Sequence, residues 1–200
     1  MKRNEYSASA VKHSFWFMEF RKVIALLSEG YSLDEIKEMN AQNNIFGAPT
    51  QNRSKQIWNT VSARVKTMDA SFYPVFQSCD ITSQKMFALI ATMAYDTLFG
   101  EFVYEVLREK LIIGNDELSD GDIRIFFKNK QEQSDKVANW TDETISRLGI
   151  CYKTMLAEAG LAVPNQNSRK IIRPILNSDM EKWLENHDMN YYFKAIEGVR

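Results

Sequence analysis

Cysteine and histidine are scarce in this 200-residue chain, two of each, and that scarcity removes several chemistries at once. Cys79 and Cys151 lie far apart with no CxxC partner, so they are expected as small buried hydrophobes, not as a disulfide or metal site. His13 sits in a polar lead-in and His187 beside Asn186 and Asp188, outside any HExxH or ExxH frame, which makes both ordinary surface residues. The GxSxG, GxxxxGK[ST] and GxGxxG sequences of nucleophile elbows, P-loops and dinucleotide folds are all missing. Glu101, Glu105 and Glu109 recur at i, i+4 as metal-ligating carboxylates do, but no histidine joins them, and a solvated acidic helix face is expected. The chain is therefore expected to have no enzymatic activity, no cofactor and no metal.

Long apolar runs are missing too. A membrane helix needs about 20 consecutive apolar residues, whereas the nearest stretch, MFALIATMAYDTLF, is short and interrupted by Asp96. The N-terminal MKRNEYSASAVKHSF carries Glu5 and no apolar core, which argues against a signal peptide. A cytoplasmic protein without a membrane partner is the expectation. The four prolines and eight glycines fall mostly between periodic segments and act as punctuation, and no repeat or low-complexity run occurs. An excess of positive charge is also lacking: the formal net charge is −1 and the pI about 6.2, while nucleic-acid-binding domains often exceed about 9. The charge is unevenly spread, however. Residues 1–70 hold ten Lys and Arg against seven acids, 71–122 three against nine, and 123–200 twelve against ten, so a basic face remains possible.

What the chain does have is helical periodicity over an apolar content of 44%, enough for a sizeable core. Phe15, Trp16, Phe20, Val23, Ile24 and Leu27 share one face and stop at Gly30. Ser32 and Glu35 form a capping box that opens a helix to about Asn40. From Gln51 to Met68 the residues Ile57, Trp58, Val61, Val65 and Met68 fall within an arc of about 100°. Arg53 and Arg64 lie near one edge of that stripe, Lys55 and Lys66 beyond the other, and no acid interrupts the helix before Asp69. Two readings fit: a solvated face whose long stems cover the core edge, or a ridge contacting phosphates. Further on, the faces of Met86, Leu89, Ile90 and Met93 and of Phe99, Phe102, Val103, Val106 and Leu107 are turned by about 90° or more from each other, which demands a break near Asp96-Thr97. The expected fold class is all-α, a multi-helix bundle with residues 1–115 as an N-terminal and 116–200 as a C-terminal helical subdomain, packed as one unit.

The C-terminal part has the helical order of a winged helix-turn-helix. Helices over 120–131, 134–139 and 141–159, capped by Asp120 and Thr141, precede LAV and RKIIRPIL, which are β-branched enough for a two-stranded ribbon. A second capping box at Ser178 and Glu181 opens a helix through Trp183, and Tyr191, Tyr192, Phe193 and Ile196 lie in a last docking helix. From Gly160 to Ser178 the segment carries Arg169, Lys170 and Arg173 and no acid, which suits counterion release from a duplex. Asp142 and Glu143 at the start of the third helix oppose this, since they favour the helix dipole but repel phosphate. The DNA-contact set expected on these grounds is Arg53, Lys55, Arg64, Lys66, Arg147, Lys153, Arg169, Lys170 and Arg173, with Ser146 and Asn167 as donors. Weak sequence selectivity is expected, because few Asn, Gln or Arg side chains converge on one exposed helix face. The rival reading is an adaptor whose Tyr191, Tyr192 and Phe193 dock a larger partner.

Three stretches resemble one family across nearly the whole chain: YSASAVKHSFWFMEFRKVIALLSEGYSLDEIKEMNAQNNIFGAPTQNRSKQIWNTVSARV, DIRIFFKNK with VANWTDETISRLGICYKTMLAEAGL, and RKIIRPIL. They are similar to the BrxA family, small core proteins of bacteriophage exclusion (BREX) defence systems. The resemblance implies a mostly helical, NusB-like protein without enzymatic activity, able to bind double-stranded DNA and working beside a methyltransferase and other BREX components. It assigns no role to any residue of this chain.

Overall fold

Hydroxyl and carboxylate side chains set most of the helix starts. In the computed structural model, which describes residues 4–165 and 168–199, Ser32 accepts from the Glu35 amide and Glu35 returns a bond to the Ser32 amide, starting α2 (Leu33–Asn43) after α1 (Phe17–Ser28). Thr50 caps α3 (Gln51–Val65), and Asp80 caps α5 (Ile81–Tyr95), which follows the short α4 (Phe72–Ser78). These caps satisfy amide groups that the helix itself leaves unpaired.

The expected break is at Asp96. The chain bends there by 115°, and the Asp96 carboxylate accepts from the Phe99 amide at 3.1 Å to start α6 (Thr97–Phe102). A π-turn (Val103–Leu107) joins α6 to α7 (Arg108–Ile113). After it come a two-residue strand β1 (Glu117–Leu118), α8 (Asp120–Gln133), α9 (Asp135–Ala138), α10 (Asp142–Ala159), β2 (Ala162–Asn165), β3 (Ser168–Ile171), α11 (Ser178–Asn186) and α12 (Asn190–Glu197). The fold is mainly α-helical. The expected ribbon is present, but β1 joins it, giving an antiparallel sheet of order β1-β3-β2 with Leu118 opposite Arg169. Two strand residues carry no periodicity to read, which is why β1 is invisible in the sequence. Two caps also differ by one residue: Ser119, not Asp120, caps α8 in a box with Asp122, and Asn177, not Ser178, caps α11.

One cluster of buried residues runs through both halves of the chain. Phe20, Phe72, Phe76, Phe87 and Trp183 form linked ring contacts on one side, and Phe99, Phe102, Phe126, Phe127 and Tyr152 on the other. Gly149 lets α10 approach α8, since a Cβ there would lie 2.8 Å from Ile123. Of the acidic face expected at Glu101, Glu105 and Glu109, Glu105 and Glu109 are exposed, but Glu101 is buried in an ion cluster. Lys130 of α8 lies 2.6 Å from the Glu101 and Glu105 carboxylates, and Tyr6 donates to Glu101 at 2.6 Å. Burial alone would lower the Lys130 ammonium, yet the bonds to Glu101 and Glu105 outweigh it and hold its pKa above the usual lysine value. His187, expected as an ordinary surface residue, instead clasps α11 to α4: Nδ1 lies 2.7 Å from the Trp183 carbonyl and Nε2 3.0 Å from Ser71 Oγ. Among the described residues no single helix is long and apolar enough to cross a membrane.

Asp96 is partly buried, and the loss of water around its carboxylate pushes its pKa up to about 6, against the Phe99 amide and Arg64, which pull it down. The folded state thus holds this proton to higher pH than the unfolded chain does. Stability should fall as pH rises from about 4 through 6 and level off above 7, with a total cost of at most about 3 kcal/mol. Asp96→Asn keeps a capping side chain and should lack this fall. Urea melts of both proteins at pH 4.5 and 7.5 check it; parallel changes would remove Asp96 as the cause.

Candidate nucleic-acid interface

Helix α3 is held on one side and free on another. Its stripe of Ile57, Trp58, Val61, Val65 and the following Met68 is buried, and α2 is locked across its first turns by a pair of bonds, Asn40 Nδ2 to the Ser54 carbonyl at 3.3 Å and Ser54 Oγ to Asn40 Oδ1 at 2.8 Å. At 3.6 residues per turn the exposed residues Gln51, Asn52, Lys55, Asn59 and Lys66 fall within about 100° of one another. Lys55 and Lys66 stand about 16 Å apart along this strip. Three amides and two ammonium groups therefore share one exposed helix face with no acid among them. The amides Gln51, Asn52 and Asn59 were readable from spacing once the apolar stripe had been located, and Gln51 Nε2 also donates to the Ala41 carbonyl at 3.4 Å.

The chain before α1 borders this strip. A groove of about 340 Å³ runs between His13 and Asn52, Lys55, Gln56, Asn59 and Thr60, and Tyr95 closes it; no carboxylate lines it. A second groove of about 460 Å³ has Lys12, His13, Arg53 and Gln56 on one wall and Ile150, Thr154 and Glu158 of α10 on the other. Arg53 is fixed at its edge, 4.9 Å over the Trp16 ring, donating to Gln56 Oε1 at 2.6 Å and to the Lys12 carbonyl at 3.3 Å. His13 is shared by both grooves. Burial, then Arg64, Arg53 and Lys12, hold its imidazole below the usual histidine pKa. Lys12 and His13 are the site residues that sequence reasoning missed.

The other expected contacts are placed differently. Arg64 is 2% exposed and donates to the Phe15 carbonyl at 2.6 Å and the Ser14 carbonyl at 3.1 Å, so it ties the N-terminal chain to α3 and cannot touch a phosphate. Burial pushes its pKa down to about 10, with Asp96, Tyr95 and Glu158 opposing, and it remains charged at neutral pH. Arg147 pairs with Glu143 at 2.7 Å, Lys153 with Asp120 at 2.6 Å and Lys170 with Asp116 at 3.5 Å. Arg173 donates to the Leu111 carbonyl at 3.0 Å, and Arg169 donates from Nη1 to the Ser168 carbonyl at 3.3 Å. Ser146 is exposed, and Asn167 lies outside the described residues. The nine cations thus do not pool into one surface: Arg53 and Lys55 flank His13, Lys66 extends the α3 strip, and the C-terminal set is mostly engaged with carboxylates or carbonyls.

Of the aromatic residues expected to dock a partner, Tyr192 is buried, while Tyr191, stacked on Tyr104 at 4.3 Å, and Phe193, packed against the core, are half-buried. Among the described residues no three His, Cys, Asp or Glu side chains are grouped as a metal site requires.

Residues 4–188 match the family model described as BrxA. A curated protein of Bacillus cereus (strain H3081.97), described as BREX protein BrxA, is 39% identical over 198 residues, which cover 99% of this chain and 99% of that protein. Among solved structures, the crystal structure of an uncharacterized protein from Magnetospirillum magneticum superposes with a TM-score of 0.81 and 18% identity, covering 98% of this chain and 100% of that one. At that identity the likeness establishes the fold.

Proposed function

Since this chain belongs to the BrxA family, and is thereby a protein of a BREX phage-defence system, we propose that it binds duplex DNA as a non-catalytic, cytoplasmic accessory component, with α3 as the principal contact. The observation that carries this is the exposed, acid-free strip Gln51, Asn52, Lys55, Asn59 and Lys66. Lysines supply phosphate contact and counterion release. Asn and Gln on the same face have the donor–acceptor pair that adenine presents in the major groove, so binding carries more sequence preference than charge alone would give. The grooves on either side of His13 leave room for a backbone beside the helix. The ion-paired acids Glu143, Asp120 and Asp116 make the C-terminal helix and ribbon a secondary contact at most.

Fluorescence titration of a labelled duplex at several salt concentrations tests this. With Lys12, Arg53, Lys55 and Lys66 engaged, the slope of log affinity against log salt should be roughly −3 to −4, at about −0.9 per phosphate neutralised. Affinity that ignores salt would sink the reading.

A second reading, an adaptor for another BREX component, draws on different residues. Ile175 is 90% and Ile113 72% exposed, and the Arg173–Leu111 bond brings their two segments together. Retention of a BREX partner from nuclease-treated lysate, lost on Ile175→Glu, would support it.

A further inference from the structure

We infer that His13, Asn52 and Lys55 form a seat for a single DNA phosphate, and that filling this seat draws one proton onto His13. This deepens the reading above and holds only if α3 meets DNA. The groove between these residues is walled by a ring nitrogen donor or acceptor, an ammonium, amides and hydroxyls, and no carboxylate lines it. Neither ring nitrogen of His13 has a hydrogen-bond partner among the described residues, so the imidazole is free to donate to an incoming oxygen. A groove that gathers an ammonium, amide N–H groups and hydroxyls, with Arg53 beside it and no carboxylate in its lining, suits an anion.

The proton follows from the charges around the ring. His13 faces its neighbour Lys12, Arg53, Lys55 and Arg64 of α3, Tyr95 of α5, and, across the second groove, Cys151 and Glu158 of α10. The cations outnumber the one carboxylate, and with burial they keep the imidazole neutral to lower pH than usual. A phosphate in the seat reverses that balance. It offsets the cations' repulsion and accepts a charge-assisted bond from the imidazolium, so the bound form takes up a proton from solvent. By linkage the affinity must rise as pH falls through the bound-state pKa, and flatten below that of the free protein.

The chain has only two histidines, so their C2–H proton signals can be followed separately, with His187 as the internal reference. Adding a duplex should move the His13 titration midpoint to higher pH. At fixed ionic strength the affinity should increase roughly tenfold from pH 8 to 5.5. His13→Gln should abolish that increase, and Glu158→Gln should leave it in place. The inference is overturned, and the DNA reading survives, if the duplex binds but the His13 midpoint stays or falls, or if the pH gain persists in His13→Gln or vanishes only in Glu158→Gln. A duplex that fails to bind at any pH or salt overturns both.

Discussion

Replacing Lys130 by alanine should destabilise the protein by about 3–5 kcal/mol, the largest effect expected of any single surface-to-core charge in the chain. Lys130 is 3% exposed and lies 2.6 Å from Glu101, itself 8% exposed on its side chain, and from Glu105, which reaches solvent. Truncation removes the Lys130 ammonium from beside the buried Glu101 carboxylate, and breaking a buried ion pair by deleting one partner costs far more than the intact pair contributes. Tyr6 donates to the same carboxylate, so the loss should also loosen the N-terminal chain. Urea unfolding measures the first effect. The double variant Lys130→Met with Glu101→Leu separates it from packing: it should recover most of the stability, because both charges then leave together. A cost below about 1 kcal/mol for Lys130→Ala would mean that Glu101 finds water easily.

Arg64→Ala should cost about 3 kcal/mol and leave the salt dependence of DNA binding as it is. The guanidinium spans two carbonyls, Phe15 at 2.6 Å and Ser14 at 3.1 Å, and charge-assisted bonds contribute more than neutral ones, each about 1.5–3 kcal/mol. Arg64→Lys is not a conservative change here, because one ammonium replaces a planar fork; it should recover less than half of the loss. Thermal or urea melts give the stability, and duplex titration gives the slope. A slope reduced by about one in Arg64→Ala would return Arg64 to the DNA surface.

These two residues also show where sequence stops being informative. Arg64 lies at the edge of the α3 stripe by angle alone, and angle does not say whether a long side chain runs out to water or inward to carbonyls of a segment 49 residues earlier. Lys130 and Glu101 are 29 residues apart, so the acidic spacing of α6 and the following π-turn reads as a solvated face until α8 is laid against it. Local signals were legible because they are local: the Ser32 box, the Thr141 cap, and the break at Asp96 depend on residues three or four apart. The α3 strip was legible for the same reason, but counting only lysine and arginine hides its amides. His13 was not, since its place between two grooves depends on how an irregular segment crosses α3.

The most direct test of the central claim, that DNA lies on α3 and not on the C-terminal ribbon, compares two sets of charge reversals in one duplex titration. Lys55→Glu with Lys66→Glu, both on exposed positions of α3, should weaken binding by at least tenfold and reduce the salt slope by about two. Arg169→Glu, Lys170→Glu and Arg173→Glu together should weaken it by no more than about threefold. The opposite ranking, with the ribbon set abolishing binding and the α3 set leaving it intact, would contradict the account.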